Sequence, residues 1–393
     1  MTAASPADAA PTTAPNAADV IVIGGGIAGI SAAAAMARER SVIVLEAERA
    51  PGTHSTGRSA AIFIRNYGNA TLRALNAASA AALEDPEAGF GEGFDGAAGP
   101  GGALLSPRGE LMIATEDQLP ALEAYLDGSS GLERLTGPEA AALVPILRPD
   151  RIVAAALEAD AQDIDVDRML AGCLRLLRAR AGADALRTGA PVAAMTRKGG
   201  TWRIEAGGET WEAPLVVNAA GAWAGRVAAL AGAQEVGLTP LRRSAALLPA
   251  PGGRDMSRWP MFVSAAETFY AKPMGGKLMV SPADEDPVEP HDAWPDDMVL
   301  AEGLDRYEQA VTEPVTRLEA SWAGLRTFAP DRTPVAGFDA RAEGFLWLAG
   351  QGGYGVQTAP AMARIAAALI AGRAPAGLPP AVIAALDPKR FAG

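Results

Sequence analysis

Cysteine is almost absent from this sequence, which has one among 393 residues. A single cysteine, Cys173, excludes an internal disulfide and a metal cluster held by thiolates. Apolar side chains at Leu170, Leu174 and Leu177 recur around it at helical spacing. This periodicity indicates that Cys173 is a small core residue on a helix rather than a reactive nucleophile.

Basic charge is also in deficit, because 34 Lys and Arg stand against 46 Asp and Glu, for a net charge of −12. No basic stripe is present to neutralise phosphates, which argues against a nucleic-acid partner.

Long apolar runs are scarce as well. Residues 20–37 pass a simple hydropathy test, but their glycine cluster and their change from β-branched residues to alanines fit a strand, a turn and a helix better than a membrane span. We therefore expect no membrane span.

The first 18 residues are mainly Ala, Pro, Thr and Asp, with neither a basic start nor an apolar block. This composition is unlike a signal peptide and predicts a disordered N-terminal extension. With so little cysteine in the rest of the chain, a reducing, cytoplasmic location is the expectation.

The most informative segment lies between residues 20 and 46. An apolar run, Val20–Ile23, leads into Gly24, Gly26 and Gly29, then an Ala-rich stretch, a second apolar run and Glu46. In a dinucleotide-binding unit such glycines permit the tight turn, the close approach of backbone N–H groups to a pyrophosphate and the packing of the helix on the sheet. The terminal acid accepts the ribose hydroxyls, and the helix N-terminus faces the phosphates. The segment predicts bound FAD or NAD, contacted by Gly24, Gly26, Ile27, Ala28, Gly29 and Glu46.

Strand–glycine–helix units recur near residues 218 and 350, whereas residues 231–326 read as strands separated by Pro and Gly turns. The predicted fold class is α/β, with a discontinuous Rossmann-like nucleotide-binding domain and a second, β-rich α+β substrate domain. We assign residues 19–100, 148–230 and 327–393 to the first domain. Residues 101–147 and 231–326 form the second, and the cleft between the domains is the expected reaction site.

Beyond these patterns, the sequence resembles the flavin-dependent amino-acid and amine oxidoreductases of the D-amino-acid oxidase and glycine oxidase type. The resemblance extends over nearly all residues after 18, and within the family it is strongest to bacterial D-arginine dehydrogenase. Its most specific segments are GTHSTGRSAA (52–61), NAAGAW (218–223), RRSA (242–245), WAGLR (322–326) and QGGYGVQT (351–358).

The resemblance implies FAD rather than NAD, bound without a covalent link because the one cysteine lies far from these motifs. Ser55, Thr56, Arg58 and Ser59 match a segment that lines the pyrophosphate and flavin, and hydroxyls with a guanidinium in one loop also suit a diphosphate. The loop at 350–355 matches the loop that approaches the flavin ring. The further cofactor-binding residues implied in this way are Ala60, Ala220, Gly221, Trp223, Gly350, Gly352, Gly353, Tyr354, Gly355, Val356 and Gln357.

A substrate site is implied in the same way. Arg243, Tyr270 and Arg326 match positions that grip the substrate carboxylate, and a guanidinium fork with a phenol is chemically suited to that task. For each arginine a surface or interdomain salt bridge is the alternative, and the neighbouring Arg242 is expected to point the other way and pair with an acid. The remaining catalytic residues implied are Gly353, whose carbonyl would accept from the substrate amine, Gln357, and Tyr67 and Glu110, which match positions that hold a distal guanidinium. For Glu110 the alternative is a strand-end residue in solvent.

Ile62, Ile64 and Phe338 stand where D-arginine dehydrogenase has His, Thr and Tyr, so this pocket should be more apolar. Bulky apolar D-amino acids therefore rival cationic ones such as D-arginine or D-lysine as substrates. The implied reaction is hydride transfer from Cα to flavin N5, which gives an imine that hydrolyses to a 2-oxo acid and ammonia. The electron acceptor is expected to be a quinone or another acceptor, with oxygen as an alternative. Two other functions stay open: an oxygen-dependent oxidase of glycine, sarcosine or another amine, and a non-catalytic flavin-binding protein.

Overall fold

The computed structural model describes residues 16–92 and 104–392. Residues 1–15 of the predicted N-terminal extension lie outside the described residues, as does the predicted domain boundary at residue 100. Residues 16–18 run beside a later strand, where the backbone N–H of Ala18 donates to the carbonyl of Glu212 at 3.1 Å. Backbone hydrogen bonds therefore hold this end of the extension in place.

The strands of the described residues are β1 (Val20–Ile23), β2 (Val42–Leu45), β3 (Ile62–Phe63), β4 (Leu105–Pro107), β5 (Glu110–Ala114), β6 (Glu133–Leu135), β7 (Ala154–Glu158), β8 (Gln162–Ile164), β9 (Leu186–Arg187), β10 (Val192–Lys198), β11 (Thr201–Ala206), β12 (Glu209–Ala213), β13 (Leu215–Asn218), β14 (Thr239–Leu248), β15 (Met261–Ser264), β16 (Tyr270–Met274), β17 (Lys277–Ser281), β18 (Asp286–Pro287), β19 (Ala320–Phe328), β20 (Val335–Phe338) and β21 (Phe345–Ala349). The α-helices are α1 (Ile27–Met36), α2 (Ala70–Glu84), α3 (Leu119–Leu126), α4 (Gly137–Leu143), α5 (Val166–Ala181), α6 (Ala224–Ala231), α7 (Asp297–Ala310), α8 (Gly355–Ile370) and α9 (Pro380–Leu386).

A six-stranded sheet brings the three strand–glycine–helix units together. Its order is β20-β21-β13-β1-β2-β9, and β1 pairs in parallel with both β13 and β2. Because β21 is also parallel to β13, the glycine-rich turns after β1, β13 and β21 meet at one edge of the sheet. Open α/β sheets bind their ligands at this edge. The predicted discontinuous Rossmann-like domain is confirmed.

Small side chains allow close packing around the first helix. α1 lies against α5 and α8, and its alanines at positions 32–34 are almost completely buried. The other face of the sheet is covered by the three-stranded sheet β10-β11-β12 and by α6. Cys173 is buried on α5 as expected, and burial raises the pKa of its thiol to about 12.

A nine-stranded sheet forms the second, β-rich layer, with the order β18-β14-β17-β16-β15-β5-β7-β6 and with β19 paired to β14. β16 and β17 form an antiparallel hairpin closed by Gly275 and Gly276. β7 belongs to this sheet because it pairs with β5 along its whole length. β7 thus joins the β-rich sheet, although residues from 148 onwards were assigned to the nucleotide-binding domain. Within the described residues, no helix is both long and apolar enough to cross a membrane.

Candidate active site

The turn between β1 and α1 can be built only with glycine at two of its positions. Gly24 has a φ of +112°, and a Cβ there would lie 2.3 Å from the carbonyl oxygen of Ala219. A Cβ on Gly29 would lie 1.9 Å from the carbonyl oxygen of Gly24. The glycines thus bring β1, α1 and the turn after β13 into direct backbone contact, as the dinucleotide pattern predicts.

The start of α1 is arranged to accept a negative group. Its N-cap, Gly26, has no side chain to cap the helix, and no acidic residue lies in the first turn. The hydroxyl of Thr56 accepts from the backbone N–H of Ile27 at 3.0 Å. Glu46 is fixed at the end of β2 because its carboxylate accepts from the N–H of Gly25 at 2.6 Å and of Glu48 at 2.7 Å. A helix N-terminus without an acidic residue in its first turn attracts phosphate oxygens.

A cleft of about 420 Å³ extends from this turn along the edge of the six-stranded sheet. It passes between the turns after β1 and β13 and reaches the loop after β21. The sequence-predicted cofactor residues that line it are Gly24, Gly26, Ile27, Ala28, Glu46, Ser55, Thr56, Ala220, Gly221, Trp223, Gly352 and Gly355.

Two buried side-chain atoms in this cleft, the Thr327 hydroxyl and the Gln351 amide nitrogen, have no hydrogen-bond partner within the described part of the chain. They lie on adjacent backbone segments, because the N–H of Gly352 donates to the carbonyl of Thr327 at 2.9 Å. An unpaired buried polar group costs about 1–3 kcal/mol. Two residues with such groups line one cleft beside the start of α1, which fits a long cofactor with polar atoms such as FAD.

We expect Thr327→Val to weaken FAD binding by about fivefold, because a hydroxyl paired by the cofactor contributes about 1 kcal/mol. The flavin-free protein should be as stable as wild type or more so, since the substitution removes an unpaired group. Thr358→Val is the matched control, because the Thr358 hydroxyl donates to the carbonyl of Tyr354 at 2.8 Å and its loss should destabilise both forms. FAD titration and thermal unfolding with and without FAD measure both effects. A flavin-free Thr327→Val protein that is destabilised like Thr358→Val would contradict the assignment.

Arg58 lines a small space beside the cofactor cleft, together with Ser55 and Thr56. Its guanidinium donates to the carbonyl oxygens of Ala293 and Ala323, each at 3.0 Å, and pairs with Asp292. Arg58 thereby ties the acidic segment that follows β18 to β19, and its contact with the diphosphate stays a prediction. Ser59 and Ala60 line the same small space and also the neighbouring cavity.

The loop after β21 lies where the cleft meets a second cavity. Gly352 has a φ of +51°, and a Cβ there would lie 2.1 Å from the ring of Phe328. Gly353 packs on Arg326, where a Cβ would lie 2.9 Å from Nη1. α8 begins directly behind the loop, and its first turn has neither a side-chain cap nor an acidic residue. The loop can therefore approach a flat ring closely and present a helix N-terminus to it.

The second cavity has a volume of about 280 Å³. A smaller space of about 110 Å³ shares wall residues with it and with the cofactor cleft, so the three are contiguous. The predicted residues that line this second cavity are Tyr67, Glu110, Arg243, Tyr270, Arg326, Gly353, Tyr354, Val356 and Gln357. Gly350, which lines neither space, forms the turn before the loop with a φ of +71°.

One end of the second cavity is cationic. Arg243, which is 9% exposed, and Arg326 reach it from β14 and β19, and the Arg326 guanidinium lies 3.5 Å from the Tyr270 hydroxyl. Burial would raise the pKa of Tyr270, but Arg326 and Arg243 outweigh that effect and lower it. Within residues 16–92 and 104–392, Arg326 forms no ion pair with a carboxylate. Arg242 faces the other way and pairs with Asp286 at 2.6 Å, as expected.

The opposite end holds a buried acid. Glu110 is 5% exposed and accepts from the Tyr125 hydroxyl at 2.9 Å. Glu158 lies directly across from it in the β5–β7 ladder. Burial, followed by the charge of Glu158, raises the pKa of Glu110 to about 8. Without a cation nearby, Glu110 is therefore largely protonated at neutral pH.

Tyr67 lies between the two ends, and its ring packs on Tyr354 with the centroids 4.6 Å apart. Burial raises the pKa of its hydroxyl, which keeps it neutral. Its turn is held by Asn76, which donates to the carbonyl of Tyr67 at 3.1 Å. Gln357 donates to Asn76 at 2.8 Å and accepts from the N–H of Ile64 at 3.1 Å. Gln357 therefore lines the cavity and also bonds to Asn76, the residue that holds the turn of Tyr67.

Two of the three predicted departures, Ile62 and Ile64, line the cavity. Phe338 does not. It lies on β20 and packs against the core of the nucleotide-binding domain, so it is not one of the cavity's apolar residues.

Several site residues were not anticipated from the sequence. Thr327 and Gln351 line the cofactor cleft. Tyr125 donates to Glu110, and Glu158 lies opposite Glu110 in the sheet. Glu267 lines the second cavity. Glu267 has a φ of +51°, and with Ala283 and Arg332 it belongs to the non-glycine residues of the described chain that have a positive φ. Strained backbone of this kind concentrates at functional sites. For Glu110 and Glu158 the sequence gives one signal, which is an acid at one end of an apolar run. Glu110 begins ELMIA and Glu158 ends AAALE.

A cleft of the dinucleotide-binding type beside a small cavity with charged side chains suits a cofactor and a small polar ligand. Residues 19–369 match the family model described as FAD dependent oxidoreductase (DAO), and the chain belongs to that family. Its cofactor is therefore FAD.

Individual relatives support the same fold. The chain is 28% identical to FAD-dependent oxidoreductase domain-containing protein 1 of Xenopus laevis over 185 residues, a match that spans 40% of this chain and only 35% of that protein. The structure of L-proline dehydrogenase from P. horikoshii matches with a TM-score of 0.80 and 21% identity, over 96% of this chain and 99% of that one. Glycine oxidase from Geobacillus kaustophilus matches with a TM-score of 0.76 and 22% identity, over 92% and 96%.

Proposed function

We propose that this protein catalyses the FAD-dependent oxidative deamination of a D-amino acid with a long side chain, of which a cationic one such as D-arginine or D-lysine is the first candidate. The observation that carries the proposal is a single cavity beside the cofactor cleft, with two guanidinium groups at one end and the buried carboxyl of Glu110 at the other. The names of the similar proline dehydrogenase and glycine oxidase support an amino acid as substrate. The D configuration rests on the sequence resemblance.

The cationic end suits an α-carboxylate. Arg326 and Arg243 provide charge-assisted donors, and the Tyr270 hydroxyl provides a third. A carboxylate held there places the rest of the amino acid towards the loop at Gly353, whose carbonyl would accept from the amine. FAD, when bound, supplies the acceptor for the hydride of Cα. The protein's own part is to fix the carboxylate and the amine so that Cα–H faces the cofactor.

The acidic end suits a distal cation. Met112, Met261 and Val263 give the middle of the cavity an apolar wall, while Glu110 and Tyr125 provide oxygen atoms at its end. A side chain with an apolar stem and a cationic tip matches this arrangement of an apolar wall followed by oxygen atoms. The same wall favours a second candidate, a bulky apolar D-amino acid that leaves Glu110 protonated.

Anaerobic mixing of the holoprotein with pairs of D- and L-amino acids, followed by the flavin absorbance, tests the proposal. We expect D-arginine or D-lysine, or else D-methionine or D-leucine, to bleach the flavin, and their L-enantiomers to leave it oxidised. Bleaching by glycine or N-methylglycine alone would favour an amine oxidase. If no amino acid or amine changes the flavin absorbance, the proposed activity is rejected and the protein is a flavin-binding protein without it. Turnover with a quinone but without peroxide release would identify a dehydrogenase.

A further inference from the structure

We propose that Asp284 is a positioning residue of the carboxylate clamp, which consists of Arg243, Arg326 and Tyr270, and that it acts through Arg243. This inference rests on the function proposed above. Asp284 lies in the segment between β17 and β18, directly after Ala283, which lines the second cavity and has a φ of +54°. The side chain of Asp284 is only 3% exposed.

Strand β14 has a gap in its ladder at the level of the clamp. It pairs with β18 over residues 241–242 and with β17 over residues 246–248, so residues 243–245 have no ladder partner on that edge among the described strands. The carboxylate of Asp284 fills the gap, because it accepts from the backbone N–H of Ser244 at 2.6 Å and from the Ser244 hydroxyl at 2.8 Å. A buried N–H without such a partner is unfavourable. Asp284 therefore completes this edge of β14.

The backbone of Asp284 holds the Arg243 side chain at the same point. The Nε of Arg243 donates to the carbonyl oxygen of Asp284 at 2.8 Å, and its Nη2 donates to Glu285 at 2.9 Å. These two nitrogens form one edge of the guanidinium, so the segment sets the plane of the group and leaves its other donors for a ligand. Because the carboxylate of Asp284 bonds to the residue after Arg243, its carbonyl is held at a fixed position relative to the base of the arginine side chain.

The same contacts reach the rest of the clamp. Ser281, at the end of β17, donates to the carbonyl of Ser244 at 2.6 Å and lies directly opposite Tyr270 in the β16–β17 ladder. Ser244 and Ser281 are both completely buried. Ser244 also lines the small space that Arg243, Tyr270 and Arg326 border. The donors of the clamp are thus held in place before a ligand arrives, which favours binding because little freedom remains to be lost.

Asp284→Ala tests the inference through the binding of pentanoate, read from the perturbation of the flavin spectrum, and through the kinetics of the amino-acid substrate. We expect the Kd of pentanoate and the KM of the substrate to rise about tenfold, an amount typical of residues coupled in one hydrogen-bond network. The kcat should change by less than about threefold, because the clamp holds the ground state and the transition state alike. FAD should stay bound, since Asp284 does not line the cofactor cleft. Asp284→Asn should restore most of the affinity, because its amide oxygen still accepts from the N–H of Ser244.

Arg243→Lys shows whether the effect passes through the arginine. The lysine keeps a cation for pentanoate but has no Nε for the carbonyl of Asp284 to orient. In this background Asp284→Ala should change the affinity by less than about twofold, because substitutions that act through one contact are not additive. Ser244→Ala, which removes only the hydroxyl bond to Asp284, should give a smaller rise in Kd, of about threefold, that also disappears with Arg243→Lys. It replaces Asp284→Ala in the test if that variant does not fold.

Asp286→Asn is the matched control. Asp286 lies in the same segment, is 51% exposed and bonds to Arg242 at 2.6 Å rather than to Arg243. Its substitution should leave the affinity for pentanoate unchanged. The inference is overturned by a wild-type affinity in Asp284→Ala, by an equal loss in Asp286→Asn, or by a full loss that persists with Arg243→Lys. If pentanoate leaves the wild-type spectrum unchanged, the carboxylate clamp is overturned and the inference with it. Normal pentanoate binding that Asp284→Ala does not weaken leaves the proposed function intact.

Discussion

Replacing Arg326 with Met should lower kcat/KM for the amino-acid substrate by about 10³-fold while FAD remains bound. Truncating one partner of a buried, hydrogen-bonded charge pair costs about 2–5 kcal/mol, and Arg326 has no carboxylate partner of its own among the described residues. Its free donors are therefore those most available to a substrate carboxylate. The loss should be mainly in KM, and a carboxylate inhibitor such as pentanoate should lose affinity in parallel.

The fold should tolerate this change. Met has a similar length, and its introduction removes a buried charge that forms no direct ion pair among the described residues, so the unfolding temperature should be unchanged or higher. Arg390→Met is the control, because Arg390 is also largely buried but bonds to Asp331 and to the carbonyl of Thr333, remote from the cavity. It should lower stability and leave KM unchanged. Normal turnover by Arg326→Met, or an equal rise in KM in Arg390→Met, would show that the clamp is assigned to the wrong residue.

The cofactor turn was predictable because its determinants are local. Gly24 and Gly29 are required by contacts within one strand–turn–helix unit and its parallel neighbour, and the order of strand, glycines, helix and acid encodes that geometry directly. The separation of Arg242 from Arg243 was predictable for a similar reason, since successive side chains on a strand face opposite sides. The roles of the flavin loop and of the clamp came from the resemblance and stay predictions, and residues of both line one cavity.

The acidic end of the cavity could not be predicted in the same way. Glu110 and Glu158 are 48 positions apart in the chain and become direct neighbours only through the register of β5 and β7. Tyr125 reaches them from α3, a third element. Like charges opposed across strands are unfavourable, so no propensity rule anticipates this pair. The ion pair of Arg58 was not predictable either, because its partner, Asp292, lies in a distant acidic segment.

Phe338 shows a further limit of residue matching. The position corresponds to a pocket residue in the family it resembles, yet here the side chain packs into the nucleotide-binding core. The apolar character of the cavity therefore comes from Ile62 and Ile64 together with Met112, Met261 and Val263. Most of these residues lie on β5 and β15, whose parallel pairing also brings Glu110 opposite Met261.

The preference for a cationic over an apolar D-amino acid should depend steeply on pH if Glu110 binds the distal cation. Burial and the charge of Glu158 raise the pKa of Glu110 to about 8. The ionised form that attracts a cation is therefore abundant above this pKa and falls about tenfold for each pH unit below it. We expect the ratio of kcat/KM for D-arginine to that for D-methionine to rise by about 10²-fold between pH 6 and pH 9 and then level off. Taking the ratio cancels the titration of the α-amine, which both substrates share.

Glu110→Gln separates this effect from every other titration in the site. The amide has the same shape and still accepts from the Tyr125 hydroxyl, but it carries no charge at any pH, so the ratio should be low and independent of pH. D-methionine turnover should remain close to that of wild type, or increase, because a permanently neutral end suits an apolar side chain. A wild-type ratio that does not change with pH, or the same rise in Glu110→Gln, would remove Glu110 from side-chain recognition. If D-methionine is oxidised and D-arginine is oxidised at no pH, the cationic candidate fails and the apolar D-amino acids remain, with Glu110 as the protonated end of their cavity.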